Sequence, residues 1–277
     1  MNRVLTSRRD FLLQGAALAS VTVAAHAETA NRVPVIDCHA HVGHAPALTD
    51  PWTAIGDPEE ILTRNREARI DQSVIFPISN DTYEAANKEI AAVCKRYHGH
   101  FIGYAKHDPV TEKGRIRAML MYEYHELGLR GLKLHVQPGP EVLDTVAELG
   151  IPIIYHPGRV AMIEGISRDY PSVDFIVAHC GSDLSADWRE HLAAIELAGQ
   201  RSNVYLDTGG VVETRYIERA IHQLGAEKVI FGSDEPEVDC RLEIFKIRML
   251  KLPEAQEQLV LGGNLQRLLA KSGERTR

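Results

Sequence analysis

Two histidines near the start of the chain have the spacing of a metal-binding pair. They are His39 and His41, in the apolar, β-prone segment that runs from Val33 to His44. Side chains two positions apart lie on the same face of a strand. Asp37, His39 and His41 are therefore predicted to share one face, where two imidazoles can hold one divalent ion from a rigid support. Because a lone His-x-His pair arises often by chance, the prediction needs further ligands.

Further residues of ligand type follow four later apolar runs. They are Lys133 and His135, then His156, His179 and Asp234. If these runs are strands of a closed parallel barrel, their C-terminal ends meet at one mouth, where barrel enzymes place their sites. Imidazoles and a carboxylate at that mouth form a nitrogen and oxygen donor set suited to zinc, or to manganese or iron.

The order of apolar runs and helical stretches predicts an α/β fold, a (β/α)8 TIM barrel in a single domain. Strands are predicted at residues 33–44, 73–78, 101–105, 131–135, 151–156, 173–179, 203–207 and 228–234. Helices are predicted at residues 59–70, 83–97, 111–127, 141–149, 186–198, 213–224 and 259–269. Such alternation requires parallel strands. The alternative, a doubly wound open sheet, would normally have a glycine-rich turn after its first strand, where this chain has histidines.

Composition limits what the protein can bind. Of its 277 residues, 44% are hydrophobic and 25% are charged, and the formal net charge is −7. No basic cluster lies in the body of the chain, so nucleic acid is not an expected partner. The four cysteines are far apart and form no C-x-x-C pair, so they show no thiolate zinc motif.

Residues 1–27 are predicted to be a twin-arginine signal peptide. The segment from Thr6 to Leu13 contains Arg8 and Arg9, and a moderately apolar stretch leads to the small-x-small sequence at residues 25–27. The alternative is a basic tail ahead of a short helix. Residues 28–277 would then form the mature periplasmic barrel without a membrane anchor, because no apolar run after residue 30 is long enough to span a bilayer.

Taken as a set, the motifs resemble the amidohydrolase superfamily. More narrowly, they are similar to its amidohydrolase-related branch, which includes aminocarboxymuconate semialdehyde decarboxylase and lactone hydrolases. The motifs are Asp37-x-His39-x-His41, Gly131-Leu132-Lys133-Leu134-His135, Tyr155-His156-Pro157-Gly158, Ala178-His179-Cys180-Gly181 and Gly232-Ser233-Asp234-Glu235-Pro236. Gly262 to Leu269 matches the usual C-terminal ending of the branch. Each motif is weak alone, but together they cover nearly the whole chain after the signal peptide.

The resemblance implies a role for each matching residue. In the mononuclear pattern of the branch, one divalent ion is held by the residues that match His39, His41, His156 and Asp234. The residue matching His179 stays off the metal and hydrogen-bonds the bound water or the substrate. In binuclear relatives a carboxylated lysine, here Lys133, bridges two ions, and His156 and His179 hold the second. One ion is favoured, with zinc as the metal, and Lys133 would then bind the substrate or a neighbouring carboxylate. A homodimer is in keeping with the branch.

The residue types then predict a metal-dependent hydrolase that cleaves a C–O or C–N bond of a small carbonyl compound, a lactone or an amide. A divalent ion lowers the pKa of its bound water to about 7. Asp234 would accept the water proton and pass it to the leaving group, and His179 would stabilise the oxyanion. A decarboxylase with the same ligands is the first alternative, and its cationic clamp would come from Lys133 and Arg159. A non-catalytic periplasmic metal-binding protein is the second.

Several residues keep two interpretations. Asp37 either orients His39 or has a structural role, and Asp207 is either structural or holds a substrate hydroxyl. His135 and Arg159 are candidates for a second metal or for substrate binding. The last group comprises His107, which lines the site or turns the chain, His44, which contacts substrate or is an exposed loop residue, and Cys180, which is expected to pack on the side away from His179.

Overall fold

The first strand, β1 (Ile36–His44), contains the histidine pair and lies at the centre of its sheet. The computed structural model describes residues 32–44, 55–78, 82–182 and 187–275. The predicted signal peptide lies outside the described residues, and so does the side chain of His44. A short strand, β2 (Ile55–Gly56), pairs antiparallel with the end of β1.

The parallel strands form a closed barrel, which confirms the predicted (β/α)8 fold. After β2 the strands are β3 (Gln72–Pro77), β4 (Phe101–Gly103), β5 (Ala105–Lys106), β6 (Leu132–Leu134), β7 (Ile153–Tyr155), β8 (Phe175–Val177), β9 (Val204–Asp207) and β10 (Val229–Ile230). β4 and β5 are one barrel strand interrupted at Tyr104, since β4 pairs with β3 and β5 with β6. The barrel closes where Cys38 N donates to Phe231 O at 2.9 Å and Asp234 N donates to His39 O at 2.7 Å.

A bulge in β1 changes which side chains face the barrel interior. The pairing of β1 with β3 shifts register after Asp37. Cys38, which a two-residue period places opposite the histidines, packs inside the barrel, and His39 and His41 contact Phe76 of that same interior. The predicted common face of Asp37, His39 and His41 is therefore wrong, because the bulge interrupts the alternation.

Helices cover the outside of the barrel. They are α1 (Pro58–Ala68), α2 (Tyr83–Arg96), α3 (Ile116–His125), α4 (Pro140–Leu149), α5 (Ala161–Asp169), α6 (Trp188–Gln200), α7 (Thr214–Leu224), α8 (Cys240–Met249), α9 (Glu254–Gln258) and α10 (Asn264–Arg275). The sequence pattern predicts neither α5, which contains Gly165, nor α8, which exposes Leu242 and Phe245. A glycine inside α5 lowers its helix propensity, and the outward-facing Leu242 and Phe245 blur the apolar stripe of α8.

The two ends of the barrel differ in chemistry. Leu265 and Leu268 of α10 belong to the same interior cluster as Ile36, the first residue of β1. Because β1 runs away from this end, α10 covers the N-terminal end of the barrel with apolar side chains. The C-terminal end is left to the polar residues described below. Among the described residues, no helix has the length and apolar character needed to cross a membrane.

Candidate metal centre at the barrel mouth

His39, His41 and Asp234 meet at the C-terminal mouth of the barrel. Oδ1 of Asp234 lies 3.1 Å from Nε2 of His39 and 3.3 Å from Nε2 of His41. The eighth strand ends at Ile230, four residues earlier than predicted, and Asp234 takes a left-handed φ of 71°. Aspartate tolerates this conformation better than most residues. The turn directs its carboxylate toward the two histidines.

This donor set fits a divalent metal ion. Donors bound about 2.1 Å from a tetrahedral zinc lie about 3.4 Å from one another, which is close to the two distances between Asp234 and the histidines. A metal-binding imidazole must be neutral. Burial lowers the pKa of His41 to about 4 and lowers that of His39 well below its ordinary value. Burial alone would raise the pKa of Asp234, but the neighbouring histidines hold it well below its ordinary value, so the carboxylate is ionised.

Asp207, fully buried at the end of β9, fixes the orientation of His39. Its Oδ2 accepts a hydrogen bond from Nδ1 of His39 at 2.6 Å, and its Oδ1 accepts one from Gly209 N at 2.8 Å. Since Nδ1 carries the proton, Nε2 of His39 presents its lone pair to the mouth. Gly232 is required for this arrangement, because a Cβ there would overlap Oδ1 of Asp207. Neither interpretation made from sequence gives Asp207 this orienting role.

Of the two interpretations made for Asp37, the structural role is the one that the structure shows. Its Oδ1 accepts hydrogen bonds from the backbone N of His39 at 3.0 Å and of Ser233 at 2.9 Å, and Ser233 Oγ donates to Oδ2 at 2.5 Å. Asp37 therefore joins β1 to the turn that carries Asp234. The orienting contact on the His39 ring comes from Asp207 instead.

Lys133 of β6 is fully buried beside His39. Its Nζ lies 2.9 Å from Nε2 of His39 and 5.0 Å from the ring centroid of Phe76. Burial lowers the pKa of Lys133 to about 8, so at pH 7 it is mostly protonated and donates to Nε2. That nitrogen has one lone pair, so a metal ion on His39 requires Lys133 to release this hydrogen bond. The structure brings Lys133 to the predicted site, in contact with a histidine.

His179 reaches the mouth on a left-handed turn. β8 ends at Val177, two residues earlier than predicted, and His179 and Cys180 have φ values of 55° and 50°. Nδ1 of His179 donates to the carbonyl oxygen of Gly209 at 2.7 Å, and its ring lies 4.9 Å from that of His39. Neutral His179 therefore offers an acceptor at Nε2. It can donate from Nε2 to a developing negative charge only as the imidazolium.

His191 of α6 stabilises the turn at His179 and Cys180. Each non-glycine residue in a left-handed conformation costs about 1–3 kcal/mol, and here two such residues are adjacent. Nδ1 of His191 donates to the carbonyl oxygen of Cys180 at 3.0 Å, and its ring stacks on Tyr216 at 4.6 Å. Cys180 itself is buried among apolar side chains outside the barrel, in agreement with the packing role expected from sequence.

Two other predicted site residues, His156 and His135, lie farther round the mouth. The ring of His156 is 4.7 Å from that of His179 and 5.2 Å from that of His135. Burial lowers the pKa of His156 to about 3, so it is neutral at pH 7. Within the described part of the chain, its nitrogens are not in the donor cluster of Asp234 and the β1 histidines. His135 and Arg159 are both exposed.

Lys106 is a mouth residue that sequence reasoning missed. It ends β5, directly beside Lys133 in the register of the barrel, and it is 2% exposed. Burial and the charge of Lys133 lower the pKa of Lys106 to about 7. A signal was available, because Tyr104, two residues earlier, packs inside the barrel and the strand period places Lys106 on the same side.

His107, next to Lys106, belongs to a closed ionic network. Its Nδ1 bonds to Oε2 of Glu112 and its Nε2 to Oε2 of Glu123, both at 2.8 Å. Although burial lowers its pKa, the hydrogen bonds and charges of the two glutamates prevail and raise it to about 9. Both ring nitrogens are occupied, so His107 anchors the loop after β5.

A third group of ligand-type residues, Glu235, Asp239 and Cys240, is already neutralised. Nε of Arg64 donates to Oε1 of Glu235 at 2.6 Å, and Arg241 bonds to both carboxylate oxygens of Asp239. Two guanidinium groups oppose the binding of a cation there. The cluster at the barrel mouth is therefore the candidate metal centre.

The sequence model of the amidohydrolase family matches residues 36–270 of this chain. The chain belongs to the amidohydrolase family. The matched part includes the whole barrel and every residue placed at its mouth. This amidohydrolase is therefore a metal-dependent enzyme of that superfamily, and its His and Asp cluster is in the position where a divalent ion is expected.

Solved structures that share the fold include decarboxylases and a hydrolase. A 5-carboxyvanillate decarboxylase from Sphingomonas paucimobilis is similar with a TM-score of 0.70 and 17% identity, covering 86% of this chain and 99% of that chain. A Polaromonas dihydroxybenzoic acid decarboxylase with bound manganese has a TM-score of 0.68 and 15% identity, covering 86% of this chain and 97% of that chain. A protein assigned as a 2-pyrone-4,6-dicarboxylic acid hydrolase from Pseudomonas putida has a TM-score of 0.69 and 19% identity, covering 87% of this chain and 98% of that chain. No curated protein sequence matches this chain.

Proposed function

We propose that this amidohydrolase is a hydrolase that activates water to cleave a C–O or C–N bond of a small carbonyl compound, a lactone or an amide. The observation that carries the proposal is the cluster of His39 Nε2, His41 Nε2 and Asp234 Oδ1 at the barrel mouth. A divalent ion, when bound, supplies Lewis acidity toward a carbonyl oxygen and toward water. The relatives with a similar fold support a place in the amidohydrolase-related branch.

The proposed metal is zinc, with one ion per chain. Neutral imidazoles and one carboxylate are ligands that zinc binds in catalytic sites. His39, His41 and Asp234 would hold the ion, with His156 as the fourth ligand. A second ion is disfavoured because the other donor cluster at the mouth reuses His39 and needs Asp207, whose Oδ2 already binds the His39 ring.

Asp234 is the proposed general base and acid. Its carboxylate is ionised, and it is nearly buried at the mouth, so it can take a proton from water without first losing one. The backbone bond from Asp234 N to His39 O holds the carboxylate in place while the proton is carried. The proton then passes from the carboxyl group to the leaving oxygen or nitrogen.

His179 is proposed to act on the substrate carbonyl. Its Nδ1 proton is committed to Gly209 O, so Nε2 is the reactive nitrogen. As an imidazolium, His179 would donate from Nε2 to the oxyanion that forms when water attacks, which is the stage at which such a donor contributes most. His191 would keep this nitrogen aimed at the mouth through Cys180 O.

A decarboxylase of a small carboxylate is the second candidate. The observation that favours it is the pair of buried lysines, Lys106 and Lys133, side by side at the mouth. They could form the cationic clamp that a decarboxylase requires. Arg159, the clamp residue expected from sequence, is exposed.

Metal analysis followed by a substrate screen tests the proposal. The full chain is assayed for metal and then incubated with lactones, amides and aromatic carboxylates. We expect about one ion per chain and a ring-opened acid or a cleaved amide as product. Release of carbon dioxide without hydrolysis would refute the proposed hydrolase and favour the decarboxylase.

A non-catalytic metal-binding protein is distinguished by Asp234→Asn. An enzyme should lose most turnover when this carboxylate is removed, whereas a metal-binding protein has no turnover to lose.

We also propose export to the periplasm through the twin-arginine pathway, supported by the Arg8-Arg9 motif. A homodimer is proposed as well, because Leu242, Phe245 and Met249 expose an apolar face of α8 on which a second copy could pack.

A further inference from the structure

Lys106 has a position that its burial alone does not explain. It is the last residue of β5, on the barrel strand beside Lys133, and its side chain follows Tyr104 into the barrel. The residue is 2% exposed. Burial, and then the charge of Lys133 on the neighbouring strand, lower the pKa of Lys106 to about 7. A lysine in such a place destabilises the free protein.

Lys106 differs from the other buried charged residues around it in forming no hydrogen bond or ion pair with a described anion, although the charges of Asp234 and Glu237 act on it from a distance. Among the residues that the structure describes, its Nζ makes no hydrogen bond and no ion pair, and its nearest aromatic contact is the ring of Tyr83 at 5.5 Å. By contrast, Glu235 bonds to Arg64, and Asp207 bonds to His39. A ring at that distance offsets only part of the cost of an unpaired buried cation.

The backbone of Lys106 is held rigidly. Asn87 of α2, fully buried, accepts from Lys106 N at 3.0 Å and donates to Lys106 O at 3.1 Å. The same Asn87 amide donates to Glu123 at 2.7 Å, and Glu123 binds His107, the next residue in the chain. Lys106 is therefore not a side chain left over in a loose core, because three elements fix the strand end that carries it. Such fixing is what a preorganised binding group needs.

The charge balance at the mouth calls for an anion. Lys106 and Lys133 face Asp207 and Asp234 there, and a divalent ion adds two further positive charges. An anionic ligand would restore neutrality and give Lys106 the partner that it lacks. We propose that Lys106 anchors a subsite for a carboxylate group of the substrate, beside the metal centre. The substrate class rests on the proposed function, and the subsite serves a hydrolase and a decarboxylase alike.

Carboxylates and their neutral isosteres test the subsite by calorimetry. The metal-loaded full chain is titrated with benzoate and benzamide, and with succinate and succinamide. Charge-assisted bonds to buried groups are worth enough that Lys106→Met should weaken carboxylate binding by about tenfold to a hundredfold. Neither amide should change, and Lys95→Met, at an exposed lysine of α2, should change none of the four affinities.

Thermal stability gives an independent readout. Because Lys106→Met removes a nearly buried charge that forms no ion pair with the described residues, we expect the Tm of the ligand-free chain to rise by about 2–4 °C. A fall in Tm would mean that Lys106 has a structural partner, and it would overturn the proposal. Equal losses for acid and amide, or no carboxylate binding by the unaltered chain, would overturn it too. Inorganic phosphate that binds more tightly than both acids through Lys106 would replace the carboxylate with another oxyanion.

Failure of the subsite and failure of the proposed function give different results. A chain that binds benzoate through Lys106 but converts no lactone, amide or carboxylate refutes the proposed function and keeps the subsite. If the unaltered chain turns over one of these compounds, but Lys106→Met binds benzoate equally well, the subsite is refuted and the proposed function is kept.

Discussion

Two buried groups of ionisable residues lie a few residues apart and have opposite character. In the network of His107, Glu112 and Glu123, both ring nitrogens bind carboxylates, and the pKa of His107 is raised to about 9. At the barrel mouth, burial lowers the pKa of His41 to about 4, and Lys106 has no partner among the described residues. The first group has its charges satisfied and holds the fold together. The second has neutral histidines and a lysine that forms no ion pair within the described chain, which suits it to bind ligands.

The largest expected effect comes from removing a donor at the mouth. His41→Ala should abolish stoichiometric metal binding and lower turnover by about a thousandfold or more, because it removes a ligand that no neighbouring group replaces. Metal content and kcat/KM are the measurements. The matched control is His135→Ala, at an exposed histidine, which should keep its metal. If the unaltered chain bound two ions and His135→Ala bound one, the result would instead indicate a second metal site.

The next effect separates the residue that orients a ligand from the ligands. Asp207→Asn keeps the shape of the side chain but removes the charge that fixes the tautomer of His39. We expect metal affinity to fall by about tenfold to a hundredfold, measured by competition with a chelator. Asp187→Asn is the control, because Asn caps the start of α6 as well as Asp does. Unchanged affinity in Asp207→Asn would remove Asp207 from the site.

The closed network should affect stability. His107 binds its proton more tightly in the folded state, so its contribution is fully present below pH 6.5 and is lost as pH rises through about 9. The shift corresponds to about 3 kcal/mol. The lowered pKa values of Lys106 and Lys133 act in the opposite direction. The test is therefore the difference between the free energies of unfolding of the unaltered chain and His107→Gln, which should shrink between pH 6 and pH 10.

A control for this titration is available on the surface. His98→Gln, at an exposed histidine, should leave the pH dependence of the unfolding free energy unchanged. If the stability curves of His107→Gln and the unaltered chain ran parallel from pH 6 to pH 10, His107 would not be the proton-binding group of a closed network.

The smallest effect is expected at Arg159. It is exposed, so Arg159→Ala should change kcat/KM by less than about twofold and leave Tm unaltered. Steady-state kinetics with the substrate found in the screen measures it. A loss of tenfold or more would indicate that Arg159 binds the substrate, and it would favour the decarboxylase over the hydrolase.

Sequence reasoning predicted the barrel and the principal residues of its mouth. Parallel strands end at one rim, so His39, His41 and Asp234 could be brought together from strand order alone. It could not predict the bulge in β1, because a bulge depends on pairing with β3. It also missed the orienting role of Asp207, since that role requires knowing which nitrogen of His39 faces β9.

The left-handed turn at His179 was equally hidden from sequence. A run of apolar residues through Ala178 looks like a strand that continues to the histidine. The carbonyl of Cys180 is satisfied by His191, a donor from a helix later in the chain, and such a tertiary contact overrides the local pattern. Lys106 is within reach of the strand period, but the strand predicted at residues 101–105 ends one residue before it, whereas β5 extends to Lys106.

The candidate metal donors lie on both sides of the seam where the first and last strands close the barrel. His39 and His41 belong to the first strand, whereas Asp234 follows the last, and backbone bonds between Cys38 and Phe231 and between Asp234 and His39 fasten the two edges. An ion shared by these residues would act as a clasp across that seam. Chelation should therefore speed hydrogen exchange at the amides of Cys38 and Asp234 before it affects strands on the far side of the ring.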